Sequence, residues 1–161
     1  MGRSKLYVHT AAHAGHCGLE IWLYRSARQT AVWQRLVAGH LDLARHDPNR
    51  FHATDHTRGS TNTKGKHFGA WIWTRTACGG FHTHSLHWTP DRILIAVDGK
   101  PYFHYPKEDK RYRYWPFDRP HHLILNIAVG GWGGRKGIDP EAFPARMEVD
   151  YVRVYQRSDD R

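Results

Sequence analysis

Asp98-Gly99 separates two short runs of strand-forming residues, Arg92–Val97 (RILIAV) and 101–105 (PYFHY), and this constrains the fold more tightly than anything else in the chain. A two-residue connection of this kind needs positive φ at both central positions, which Asp and Gly tolerate, so the flanking runs are predicted to pair as an antiparallel hairpin. Upstream, Phe81–Trp88 (FHTHSLHW) is an aromatic run of period-two character closed by Thr89-Pro90-Asp91, the composition of a strand ending in a turn. Downstream, a charged and Tyr-rich loop at 107–120 (KEDKRYRYWPFDRP) leads into 121–131 (HHLILNIAVGG), which reads as a buried strand over 122–129 ending at glycines.

Gly130-Gly131-Trp132-Gly133-Gly134 cannot continue a regular strand; it predicts a loop that brings backbone and one indole close to something. In Met147–Gln156 (MEVDYVRVYQ) the apolar positions fall at 147, 149 and 151 and then at 152 and 154. That change of face predicts a β-bulge. Near the N-terminus, 19–24 (LEIWLY) is a plausible strand, whereas 25–39 (RSARQTAVWQRLVAG) fits neither a clean helix nor a clean strand. Many short strands joined by Gly and Pro turns point to an all-β, antiparallel two-sheet sandwich or jelly roll.

At 161 residues the chain is one domain's worth, and seven Trp, eight Tyr and 13% aromatic residues argue for a folded core over disorder. The formal charge of +9 would suit polyanions. The basic residues are nevertheless scattered singly (Arg25, Arg28, Arg35, Arg45, Arg50, Arg58), with one concentration at 107–113, the pattern of a solvated basic loop. Nucleic acid is therefore not an expected partner. Cys17 and Cys78 allow at most one internal disulfide, and their spacing matches neither a metal site nor a redox motif, so free, partly buried thiols are expected. The N-terminal segment lacks the apolar run of a signal peptide, and no stretch is long and apolar enough to span a membrane, which predicts a soluble chain with no membrane partner and leaves its compartment unassigned.

The 14 histidines invite a metal reading, with His9, His13 and His16 beside Cys17 and with His82 and His84 on one strand face. None has the paired spacing plus third ligand of a zinc site, so neither metal nor cofactor is expected.

From Phe81 onward the strings FHTHSLHWTPDRILIAVDGKPYF, WPFDRPHHLILNIAVGGWGG and FPARMEVDYVRVYQ resemble the second half of glycoside hydrolase family 16, of the laminarinase or endo-β-1,3-glucanase type. The resemblance implies a concanavalin A-like jelly roll spanning 1–161 as a single domain, family-like over 39–161 and poorly matching over 1–38. The chain is shorter than a usual domain of that family, which leaves closure of the sandwich on the N-terminal side open. A drifted pseudoenzyme and a damaged or truncated gene would both give this picture.

The family's catalytic motif is E-x-D-x-x-E on one strand, preceded by glycine and followed by a stretch like HATVHT. Here the matching residues are Gly39-His40-Leu41-Asp42-Leu43-Ala44-Arg45, followed by FHATDHT at 51–57. Residues two apart on a strand share a face, and a residue three further on returns to that face only through a bulge. Retaining glycosidases need two carboxyl groups about 5 Å apart, one as nucleophile and one as acid and then base. His40 holds the nucleophile position and Arg45 the acid/base position, so Asp42 is the one motif carboxylate kept. A guanidinium cannot give a proton to a leaving oxygen near neutral pH, and hydrolysis is expected to be impaired.

The resemblance also implies groove residues: His56 at the second histidine of HATDHT, with Trp115, Asn126 and Trp132 as substrate contacts. Trp115 has a competing role, packing beneath the 107–114 loop. Trp88 and Tyr151 are expected in the core. The implied partner is a β-glucan polysaccharide or oligosaccharide held by a monomer; a non-catalytic β-glucan or polysaccharide-binding module is the alternative function.

Overall fold

A computed structural model of the chain describes residues 4–12, 19–25, 34–41, 49–59, 68–75, 77, 80–108, 111–119, 121–127, 140–144 and 147–156, up to residue 41 at the level of backbone pairing. Both cysteines and the 130–134 glycine loop lie outside these residues. The strands are β1 Ser4–Ala12, β2 Leu19–Arg25, β3 Gln34–Leu41, β4 Arg50–His56, β5 Gly69–Trp73, β6 Phe81–Trp88, β7 Arg92–Val97, β8 Lys100–Pro106, β9 His122–Ile127 and β10 Met147–Gln156, with a 3-10 turn at Pro140–Ala142.

They form two five-stranded sheets, ordered β10-β1-β6-β7-β8 and β5-β4-β3-β2-β9, and all the strand pairings are antiparallel. This is the two-sheet, antiparallel, all-β jelly roll that the strand pattern predicts. Among the described residues, no helix is long and apolar enough to cross a membrane.

The hairpin forms as the sequence dictates. Asp98 and Gly99 take φ of 49° and 77° between β7 and β8. Pro101 pairs with Ala96 on β8, the last strand of its sheet, where a residue without an N–H leaves no ladder bond unmade. The Thr89 turn also closes as expected: its N–H donates to the Arg92 carbonyl (2.9 Å), and its hydroxyl accepts from Arg92 N–H (3.1 Å). In the β1–β10 pair, Val8 stands opposite Val152 and Thr10 opposite Val149, so β10 carries one extra residue where its apolar positions change face.

The core sits between the sheets. Alternation along β4, β6 and β7 turns Phe51, Ala53, Leu86, Ile93, Ile95 and Val97 inward. Ile93 and Ile95 are fully buried, each contributing about 1.5–3 kcal/mol of transfer free energy. Phe103 and Tyr105 of β8 and Trp115 and Phe117 of the following loop complete the main cluster, with Trp88, Leu123 and Leu125 packed against it. Trp88 thus packs against the core as expected, while Tyr151 is half-buried with the Arg153 guanidinium 4.3 Å from its ring centre.

The segments that resist reading from sequence are also strands. β1 is central in its sheet, held by β10 from the far end of the chain and by β6. The ambiguous 25–39 stretch gives way at Gln34 to β3, which lies between β2 and β4.

Candidate active-site face

The FHATDHT segment supplies one strand of the candidate site. On β4, Phe51, Ala53 and Asp55 are buried while His52, Thr54 and His56 are half-buried, so the last three occupy the face turned away from the core. His56, one of the residues implied for the groove, therefore shares a face with His52, and its backbone stands opposite Arg35 of β3.

The motif strand lies alongside. Ala38 of β3 pairs with Ala53 and His40 with His52, so β3 gains one residue at Gly39 and carries a bulge immediately before His40. The motif spacing predicts a bulge between Asp42 and Arg45, residues outside those described; the only sequence signal of the bulge at Gly39 is a glycine inside a strand. Trp132 is likewise outside the described residues, and Asn126 is described through its backbone, which pairs with Glu20 of β2.

Register carries the row onward to β5, because His52 stands opposite Trp71 and Arg50 opposite Trp73. Trp71 and Trp73 are 52% and 51% exposed, while Ile72 between them packs against the buried Phe51, Ala77 and Val97. The Arg50 guanidinium lies 4.0 Å from the Trp71 ring centre, a cation–π contact. Sequence reasoning missed both tryptophans; the signal for them is the alternation in GAWIW.

Trp115 requires a correction. It is 2% exposed, its indole Nε1 donates to Asp118 Oδ1 (3.1 Å), and its ring stacks on Tyr105, so no face is open to a sugar and its role is the packing one. The basic loop is tied down around it. Lys107 Nζ donates to both carboxylate oxygens of Asp118 (2.8 and 2.7 Å), and Arg111 and Arg113 lie 4.9 and 5.0 Å from the Tyr114 ring centre.

The ionisable groups of the core are structural in their contacts. Asp55, where the family-like stretch has Val, is fully buried and fastens β4 to Phe68: Oδ1 accepts the Phe68 N–H (2.7 Å), and its own N–H donates to the Phe68 carbonyl (3.0 Å). Burial, reinforced by the nearby Asp55, pushes the Tyr105 phenol well above its ordinary value, so it stays protonated and donates to the Tyr114 carbonyl (2.9 Å). On β6, His82 and His84 do share a face, both buried against the Phe51 ring at 5.3 and 4.8 Å, and His82 pairs with Asp98. Among the described residues no group of three His, Cys, Asp or Glu side chains is placed to hold a metal ion.

Comparison with known proteins agrees with this architecture. Residues 42–153 match the family described as glycosyl hydrolases family 16. A β-glucanase of Rhodothermus marinus is 42% identical over 147 residues, which cover 84% of this chain and 51% of that protein. The X-ray structure of the laminarinase from the same organism superposes with a TM-score of 0.85 at 35% identity, covering 98% of this chain and 68% of that one. A variant of a non-specific endo-β-1,3(4)-glucanase, crystallised with a 1,3-β-D-cellobiosyl-glucose at its active site, superposes with a TM-score of 0.84 at 38% identity, over 96% of this chain and 61% of that one. The chain thus spans about half the length of the Rhodothermus β-glucanase.

Proposed function

The chain belongs to glycosyl hydrolase family 16, and from that premise we propose that it binds β-glucan chains on the outward face of β4 and its neighbours while its power to hydrolyse them is lost or strongly reduced. The observation that carries the reading is the identity of the residue in register with His52: position 40, matched to the family's nucleophile, is a histidine.

The chemistry follows from what a retaining mechanism requires. One carboxylate must attack the anomeric carbon, and a carboxylic acid about 5 Å away must first protonate the leaving oxygen and then deprotonate the incoming water. Imidazole is a poor substitute for the attacking carboxylate. Arg45 at the acid/base position holds its protons to above pH 12 and can neither give one to the leaving oxygen nor accept one from water. Asp42 is left without either partner, and losing both essential members of such a unit costs orders of magnitude in rate.

Binding does not depend on those two charges. Sugar hydroxyls accept hydrogen bonds from guanidinium and imidazole as well as donating to carboxylates, and apolar ring faces stack on indoles. The exposed Trp71 and Trp73 favour the binding half of this proposal, in which the chain acts as a non-catalytic polysaccharide-binding module. Reducing-sugar release from laminarin, measured beside retardation of the same preparation in a laminarin gel, tests the proposal: binding without turnover supports it, and robust turnover overturns it.

A further inference from the structure

We infer that Trp71 and Trp73 form a sugar-stacking platform at the rim of the β4 face, which takes the pyranose rings of a β-glucan chain where it runs outward past His52; this rests on the glucan-binding reading above. β5 is the last strand of its sheet, so the platform borders an open edge. Its two indoles are separated by one inward-facing residue, Ile72, which places them on one face about 7 Å apart along the strand. Half of each indole is exposed, and its polar N–H with its flat apolar face are the two features that bind a pyranose ring.

The platform is continuous with the motif strand. His40, His52 and Trp71 form one row across β3, β4 and β5, and with neighbouring strands about 4.8 Å apart the row places Trp71 roughly 10 Å from the nucleophile position. A glucan chain crossing the strands at that row meets the tryptophans on leaving it. Arg50 against Trp71 holds that indole before any sugar arrives, so less side-chain freedom is lost on binding. The guanidinium also carries N–H donors suited to sugar hydroxyls. Stacking on two indoles needs no charge on the ligand, which suits the neutral β-glucan of the reading above.

The test is affinity electrophoresis of the full chain in gels containing laminarin, and in parallel gels containing a sulfated glycan, for the wild type, Trp71→Ala, Trp73→Ala, the double variant and Trp71→Phe. Each alanine should weaken laminarin affinity roughly 2- to 10-fold, with the double variant weaker than either, whereas Trp71→Phe keeps most of the retardation. Both side chains are half-exposed, so the variants should unfold at the wild-type urea concentration, which separates lost binding from lost folding. A double variant retarded by laminarin as strongly as the wild type overturns the platform and leaves glucan binding standing. A wild type not retarded by laminarin overturns both. Retardation in the sulfated-glycan gel alone, removed by salt, replaces the platform with a polyanion site.

Discussion

Trp115 and Tyr105 lie parallel, their ring planes 9° apart and their centroids separated by 5.7 Å, and Phe117 meets both rings edge-on. The WPFD segment thus packs into the inter-sheet core, anchored by Asp118 and Lys107. Trp115→Ala should therefore cost stability, about 3–5 kcal/mol for a large aromatic removed from a packed core. In urea denaturation its midpoint should fall sharply, while laminarin affinity per folded molecule stays at the wild-type value. Equal stability with lost affinity would place the indole in the groove.

Asp98 clamps the β7–β8 hairpin to β6. Its Oδ2 lies 2.7 Å from His82 Nδ1, its Oδ1 accepts the Thr83 N–H (2.9 Å), and its own N–H donates to the Thr83 carbonyl (2.9 Å). Partial burial works against the carboxylate's charge, but the hydrogen bonds from His82 and Thr83 outweigh it, and the group ionises below its ordinary value of 3.8. A carboxylate with a depressed folded-state pKa contributes stability that is complete above the ordinary value and disappears as the pH falls through the folded one. Asp98→Asn tolerates the positive φ but loses the charge. The gap in urea midpoint between wild type and this variant should close as the pH falls below 3.8. A gap independent of pH throughout would remove the carboxylate's charge from the account.

Gly59 is fixed by the ring beside it. A Cβ there would sit 2.1 Å from Tyr114 Cδ1, and the Gly59 N–H is tied to the Arg113 carbonyl at 2.7 Å, so neither side yields without moving the loop. Gly59→Ala should destabilise by about 1–3 kcal/mol. Combined with Tyr114→Ala the cost should be less than the sum of the two single changes, because the clash goes with the ring. Additivity in that cycle would show that the contact does not constrain the glycine.

The readable part of the chain was the part whose pairing is local. β6, β7 and β8 join consecutively through Thr89 and Asp98-Gly99, so turn chemistry and alternation together specify them, and the β10 bulge showed in the apolar positions themselves. β1 gave little because its position is set by β10 and β6, distant in sequence, and β3 gave little because the bulge at Gly39 breaks its alternation. At the site, the HATDHT face was legible through its motif, yet Trp71 and Trp73 were not, since GAWIW alternates like any strand and only register sets it beside His52. Trp115 went the other way: its motif suggested a groove, and packing against Tyr105 decided for the core.

Replacing the two substituted motif positions tests the chemistry from the opposite direction. His40→Glu with Arg45→Glu restores a carboxylate at each, and laminarin turnover returns only where the N-terminal half still builds the other cleft wall, with either single replacement remaining inactive because the retaining mechanism needs both groups. A single replacement as active as the double would show that one carboxylate suffices.

Reducing-sugar release from laminarin by the unmodified chain, assayed on a preparation first shown to be retarded in a laminarin gel, addresses the central claim most directly. With His40 and Arg45 at the two positions that need carboxyl groups, release should not exceed that of a protein-free control. Robust release that disappears in Asp42→Asn would contradict the account, because it would mean that the motif strand still carries out hydrolysis.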